Sequence, residues 1–535
     1  MKRFSQLYLE LDRTTSTNAK IDAMARYFES APPEDAAWAV FFLSGQRFKR
    51  LVGWRPLTEW ALAESAIPAW LFDECRAAVG DLAETIALLI DGTSEGEVGL
   101  PLHQWVARVQ KLRGAEDQEA QVTNWWRTLD RPERFVLDKL LTGALRVGVS
   151  KPLVIRALTK ASGVPRNVLQ HRMSGNWEPS GDSFRALVDP DAEESDPSRP
   201  YPFYLASPLE KEPEELGDAG GWMAEWKWDG IRGQLLRRKD EVFLWSRGEE
   251  LLTERFPDLA DASNAIPVGT ALDGELLCWD HEAKRPLPFA ILQTRIQRKK
   301  LSAKILKDAP ARFVAYDLME HAGEDVRSRP QHERRKILEK VVASLDPHFF
   351  GVSEVVDAKD WAALRALRET SRSRGVEGLM LKAKEGPYRT GRKRGEWWKW
   401  KIDPLTLDCV LVYAQAGHGK RAGLFTDYTF AVWGEPGDDG ERPLTTIAKA
   451  YSGLDNEEIR ELDKWIRRNT LERFGPVRSV EPTHVFEIAF EGIRKSKRHK
   501  SGVAVRFPRI ARWRRDKTIK DADSIAAALA LLDLE

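Results

Sequence analysis

Long apolar runs are absent from this chain of 535 residues. The longest, Ala39-Val40-Phe41-Phe42-Leu43 and Val410-Leu411-Val412-Tyr413-Ala414, fall far short of the roughly 20 residues that cross a bilayer. Neither a span nor an anchor is expected. No leader is expected either: after Met1-Lys2-Arg3 the chain soon reads Leu7-Tyr8-Leu9-Glu10-Leu11-Asp12-Arg13, with acids where a signal peptide needs an apolar stretch. A cytoplasmic location is expected. Cysteine is scarce. Cys75, Cys278 and Cys409 stand singly, which excludes a disulfide framework and a Cys-x-x-Cys zinc site. No repeat of fixed period points to a solenoid, and no Gly-x-x-x-x-Gly-Lys-Ser/Thr phosphate loop occurs. Net charge is lacking as well, with 83 Lys and Arg against 82 Asp and Glu for a total of +1.

Charged residues make up 31% of the chain against about 25% on average, and mean hydropathy is −0.45. A soluble globular chain is expected, of about three domains at roughly 100–200 residues each. The small total charge hides a regional separation that matters for a polyanionic partner. Glu491 to Lys520 holds twelve basic residues and two acids, and Arg372 to Pro404 ten against four. Asp189 to Asp218 holds ten acids and two basic residues among Pro and Ser, the composition of an interdomain linker.

Residues 1 to about 180 read as helical. Thr17 is a candidate cap for a helix with Ile21, Met24, Ala25 and Phe28 on one face, and another helix begins at Ser150 with Pro152 near its first turn. After the linker, short alternating strands are expected at Glu241–Trp245, Leu272–Trp279 and Arg312–Leu318, with helices at Gln331–Ser344 and Ala358–Arg374. From about Leu405, strands at Asp408–Ala414, Asp427–Trp433 and His484–Phe490 suggest a small barrel. Gly417-His418-Gly419-Lys420-Arg421-Ala422 fits Gly-x-Gly-x-x-Ala superficially, but Leu424–Trp433 reads as strand where a dinucleotide site needs a helix. It reads as a barrel loop.

The stretch richest in chemistry is Ala224-Glu225-Trp226-Lys227-Trp228-Asp229-Gly230-Ile231-Arg232. A lysine becomes a nucleophile when neighbouring cations or an apolar setting favour its free amine. Lys-x-Asp-Gly by itself is a weak signal, because Asp-Gly most often turns a hairpin. It is followed in order by Ser246-Arg247-Gly248, Leu272-Asp273-Gly274-Glu275-Leu276 and Phe313-Val314-Ala315-Tyr316-Asp317. Then come Val376-Glu377-Gly378-Leu379-Met380-Leu381-Lys382, Trp397-Trp398-Lys399-Trp400-Lys401, and Arg506-Phe507-Pro508-Arg509 with Asp516-Lys517. This ordered set resembles the ATP-dependent DNA ligases, within the covalent nucleotidyltransferases. The helical N-terminal region, notably Leu140 to Val149, is similar to the DNA-binding domain of the larger ligases.

The resemblance implies a multidomain α+β protein. Residues 1–200 would form an all-α DNA-binding domain with the acidic linker at its end, 201–404 a mixed α/β, ATP-grasp-like nucleotidyltransferase domain, and 405–535 an OB-fold β-barrel, with a hinge near Asp403-Pro404. It implies that Lys227 takes AMP from ATP, that Glu225 reads the adenine and Phe313 stacks on it, and that Arg232 and Arg247 meet ribose or phosphate groups. Lys399 and Lys401 would clamp the α-phosphate. Glu275 and Glu377 would supply carboxylates to Mg²⁺, Glu275 also meeting the ribose. Arg506, Arg509 and Lys517 would orient pyrophosphate before the C-terminal domain turns to DNA, with Arg494 to Lys500 serving the phosphate backbone. The family's arginine ahead of the two motif lysines falls at Lys393, between Arg392 and Arg394, and the choice among the three stays open. The expected partner is nicked double-stranded DNA, and the protein is expected to be a monomer. Two other readings remain: an RNA ligase or capping guanylyltransferase, and a catalytically silent DNA-end-binding protein.

Overall fold

The computed structural model describes residues 1–92, 99–174, 177–192, 197–298, 301–417, 423–437 and 440–534. Its contacts divide the chain into two units, Met1–Ala161 with Pro179–Phe184 and Pro404–Glu535, and Ser162–Glu178 with Arg185–Asp403. Within the described residues no helix is long and apolar enough to cross a membrane.

Local capping chemistry cuts the N-terminal region into helices. Asp81 and Asp130 each accept a backbone N–H two or three residues into the helix they start, at Glu84 and Glu133, which satisfies donors a helix end leaves orphaned. Gly143, at φ +67, takes the left-handed position that ends Arg131–Thr142. The expected face of Ile21, Met24, Ala25 and Phe28 is buried. The cap before it is Ser16 rather than Thr17: Ser16 has the extended backbone from which its Oγ accepts from Ala19 N at 3.3 Å, leaving Thr17 as the first helical residue. The loop after Thr142 is fastened by the buried Lys20, whose Nζ donates to Val147 O at 2.9 Å and Gly148 O at 3.0 Å.

The Ser162–Asp403 part of the chain is built on two sheets. The first has four strands in the order β1 (Ser207–Pro208), β9 (Trp397–Lys401), β8 (Val376–Ala383), β2 (Trp222–Trp228). The second runs β7 (Phe350–Val352), β6 (Ala311–His321), β5 (Thr270–Asp280), β3 (Ile231–Arg238), β4 (Glu241–Ser246). The expected helix near Gln331 forms at Gln331–Ala343, whereas the one expected over Ala358–Arg374 is shorter, Trp361–Glu369, followed by a 3₁₀ turn at Arg372–Arg374.

The strand-rich C-terminal region follows from Pro404. β10 (Leu405–Ala416) is long enough to pair with β11 (Phe425–Trp433) along one edge and with β14 (Val477–Val480) and β15 (Val485–Phe490) on the other. β12 (Leu444–Ala450) continues beyond β11, β13 (Thr470–Phe474) beyond β14, and β16 (Arg509–Trp513) beyond β15. The sheet curls until Ile510 N donates to Ser452 O at 2.9 Å. Gly453 is required there: at φ +114, a Cβ would lie 1.8 Å from Ile510 O. One helix not expected from the sequence, Asn456–Arg468, packs Leu462 and Ile466 into this core behind an Asp455/Glu458 capping box. Of the Gly417–Ala422 loop, all but Gly417 lies outside the described residues.

Candidate active site

Strand alternation gives β2 two different faces. Ala224, Trp226 and Trp228 pack with Leu379, Leu381, Trp398 and Trp400 in an apolar layer covered by the Trp361–Glu369 helix. Glu225 and Lys227 point the other way. The register puts Met380 opposite Glu225, Lys399 opposite Met380, Trp397 opposite Lys382 and Lys401 opposite Gly378. The face carrying Lys227 therefore also carries Glu225, Lys382, Lys399 and Lys401. A bulge between Val376 and Leu379, with Gly378 at φ +132 and no room for a Cβ against Trp400 O, brings Glu377 onto the same side.

The second sheet faces this one through Tyr204, Leu236, Ala271, Tyr388 and Trp397, with Tyr316 and Met380 packed against them. Its contributions are Glu275, registered against Arg232 and Val314, and Tyr316, whose ring lies 4.6 Å from Lys382 Nζ.

Glu377 sits between two ammonium groups, 2.5 Å from Lys227 Nζ and 3.3 Å from Lys401 Nζ. Burial works against its ionisation, but Lys227 and Lys401 prevail and hold the carboxyl below its ordinary value. Glu275 goes the other way. Burial, with Asp273 and Glu377 nearby, pushes it up to about 7, although Lys227 and Arg232 oppose this. Lys399 is lowered by burial first, then by Lys401, Lys227 and Arg392. Glu225 is buried, with Lys382 and Arg335 each at 2.6 Å; burial nonetheless raises it. Such opposed shifts among close groups are a mark of functional sites.

Comparison with known proteins decides the family. The models for the ATP dependent DNA ligase domain, the ATP dependent DNA ligase C terminal region and the DNA ligase N terminus match residues 204–401, 421–517 and 1–159. A probable DNA ligase of Koribacter versatilis is 33% identical, covering 99% of this chain and 96% of its own. The chain belongs to the ATP-dependent DNA ligases. DNA ligase 1 of Korarchaeum cryptofilum is 27% identical over 98% of this chain and 97% of its own. The solved structure Pmar-Lig_PreS3 shares the fold, with a TM-score of 0.62 at 16% identity over 95% of this chain and 99% of that one. Family membership sets aside the capping, RNA-ligase and silent end-binding readings.

The ligase brings together Glu225, Lys227, Glu275, Glu377, Lys399 and Lys401. It corrects the expectation for Phe313. That ring is registered against Leu276, shares its face, and is fully buried among Leu235, Leu272 and Leu338. Three residues along the strand, Tyr316 points to the opposite side, toward Lys382. Arg232 shares the face of Glu275 and donates to both Asp273 oxygens at 3.1 and 2.6 Å and to Tyr204 O at 2.6 Å. These contacts join it to the Asp273–Tyr388 hydrogen bond of 2.8 Å, beside the Tyr316 ring at 5.8 Å. Arg247 is exposed, its backbone N–H donating to Arg232 O at 2.9 Å.

Of the three basic residues before the motif lysines, Arg392 is close enough for its charge to act on Lys399, and Arg394 lies 3.4 Å from Glu210. Arg506, Arg509 and Lys517 belong to the other unit. There Arg509 pairs with Glu491 at 2.9 Å, Lys517 with Asp408 at 2.5 Å, and the Arg506 guanidinium lies 5.1 Å from the Phe507 ring. Tyr316, Lys382 and Arg335 are the site residues that motif reading passed over. The first two lie inside quoted motifs, where the period of two along a strand separates pocket from core.

Proposed function

We propose that the ligase seals nicks in double-stranded DNA through AMP carried on Lys227, with Mg²⁺ in attendance. The observation that supports this best is the packing of Lys227 with Glu377, Lys399 and Lys401 on one face, opposite Glu275. Lys227 Nζ attacks the α-phosphorus of ATP, the bond to the β-phosphate oxygen breaks, and pyrophosphate leaves. AMP then passes to the 5′-phosphate of the nick, and the 3′-hydroxyl displaces it. Attack needs the free amine, so the 2.5 Å contact to Glu377 has to loosen first.

Lys399 and Lys401 neutralise charge on the α-phosphate, and Glu225 accepts from the adenine amino group. Arg232 acts as a positioning residue through Asp273. For the metal, no group of three or more His, Cys, Asp or Glu side chains occurs among the described residues. Glu275 and Glu377 fit Mg²⁺ nonetheless, since it accepts one or two carboxylates and fills its shell with phosphate oxygens and water. Bound there, it would supply charge neutralisation for the phosphates.

Incubation with α-labelled ATP or GTP, followed by denaturing separation, tests the reading. Label carried from ATP alone is expected; label from GTP instead would contradict it. Tyr316 takes the base-stacking role in place of Phe313. Tyr316→Ala is expected to raise the KM for ATP about tenfold, as base–aromatic stacking is worth ~1–3 kcal/mol. Phe313→Ala should instead lower stability by ~3–5 kcal/mol, read in denaturant unfolding, with ATP affinity of the folded protein unchanged.

The C-terminal motif serves the first step. Arg509→Ala or Lys517→Ala should slow adenylylation while sparing nicks that already carry AMP, since both side chains would contact leaving pyrophosphate. Single-turnover measurement of each step checks this; the inverse pattern would assign these residues to DNA. The helical region is read as the DNA grip. A chain starting at Tyr201 should keep self-adenylylation, lose nick affinity and show a shallower salt dependence, because fewer phosphates are contacted. Nick binding across a salt titration measures it.

A further inference from the structure

A cleft of about 400 Å³ opens on the nucleotidyltransferase unit away from the Lys227 face, within the roughly 300–1,000 Å³ typical of small-molecule sites. Trp226 and Trp228, on the back of β2, and Trp279, four residues beyond Glu275 on β5, form its aromatic wall. The rings of Trp228 and Trp279 meet edge to face at 6.0 Å. Lys284, Arg285, Arg312 and Arg374 border the same space.

Charge is unbalanced here. Among the described residues none of these four cations is in an ion pair, and the single acid on the wall, Glu354, is taken by Trp226 Nε1 at 3.2 Å. Arg312 is the telling member. Its guanidinium covers the Trp279 ring at 4.7 Å and, among the described residues, Nη2 has only Phe350 O at 3.3 Å and the buried Nε has no hydrogen-bond partner. Burial alone lowers its pKa, with no carboxylate acting against it. Arg374 lies 4.7 Å from the Trp226 ring and is otherwise held by Thr370 Oγ1 at 3.2 Å. A solvated basic face leaves its cations in water; a half-buried guanidinium with an orphaned donor is costly unless an anion meets it. The neighbouring indoles supply flat apolar surface beside that charge, and arginine with stacked aromatics is the pairing that holds unpaired nucleotides.

We propose that this cleft is a second nucleotide site, taking the phosphate of one unpaired nucleotide on Arg312 and Arg374 and its base against Trp228 and Trp279. The nucleotide comes either from an unpaired strand end of the DNA or from a free mononucleotide. Photo-crosslinking of the full chain separates the two, using 5-iodo-deoxyuridine 5′-monophosphate in one arm and a single-stranded oligonucleotide carrying one 5-iodo-deoxyuridine in the other. Adducts are read by mass spectrometry on the peptides containing Trp228 and Trp279.

Adducts at Trp228 or Trp279 from the oligonucleotide alone support a strand-end site; adducts from the mononucleotide, with or without the oligonucleotide, support a site for free nucleotides. In either case Arg312→Gln and, independently, the exposed Arg374→Gln should cut the yield about tenfold, the size of one lost charge-assisted hydrogen bond. Adducts confined to other peptides, or yields unchanged in both variants, would overturn the proposal and leave a solvated basic face. The readout involves no sealing, so its failure and that of the Lys227 reading are separate.

Discussion

Lys227→Ala is expected to abolish covalent adenylylation and the sealing of ordinary nicks, while DNA binding stays largely intact and nicks already adenylylated at the 5′-phosphate are still joined. The substitution removes the one amine that packs against Glu377 at 2.5 Å, and little surface. In the proposed scheme only the final displacement uses AMP already on DNA, and that step does not need the amine. The effect should be a loss to background in the first assay and a far smaller change in the second. If the folded variant fails equally on both substrates, Lys227 does more than carry AMP.

The second large effect is expected at Lys399. Its ammonium faces the pocket from β9, opposite Met380 and beside Lys401, where a positive charge can meet the negative charge that builds on the α-phosphate. Groups aimed at such charge are worth ~10²–10³ in rate when removed. Lys399→Ala should therefore slow single-turnover adenylylation by about that factor. Lys399→Arg should restore only part of it, because a planar fork does not replace a point charge in a packed strand. A variant with normal adenylylation and poor ATP binding would reduce Lys399 to a ground-state contact.

Much of this site is legible in the sequence because its residues sit on strands. Glu225 and Lys227 are two apart, as are Lys399 and Lys401, and alternation puts each pair on one face before any partner is known. The same rule separates Phe313 from Tyr316, yet a motif match by residue type favours the phenylalanine; only the register against Leu276 shows it turned to the core. Arg335 escapes sequence reading for a different reason. It reaches Glu225 from a helix 110 residues further along the chain, and its local pattern is that of any amphipathic helix. Arg232 keeps its expected place on β3 but spends its donors on Asp273 and Tyr204, a pairing set by cross-strand packing. In the C-terminal region alternation finds β10, β11 and β15, whereas Asn456–Arg468 is signalled by its capping box and by Ile459, Leu462 and Ile466 at helical spacing.

The central claim is that Lys227 is the residue that carries AMP. The ligase is incubated with ATP and magnesium, digested, and its peptides are sequenced by tandem mass spectrometry. The expected result is one adenylate, on Lys227 alone, that disappears when nicked DNA is added after free ATP has been removed. An adenylate on Lys382, Lys399 or Lys401 instead, or nick sealing with no adenylylated peptide at any time point, would contradict it.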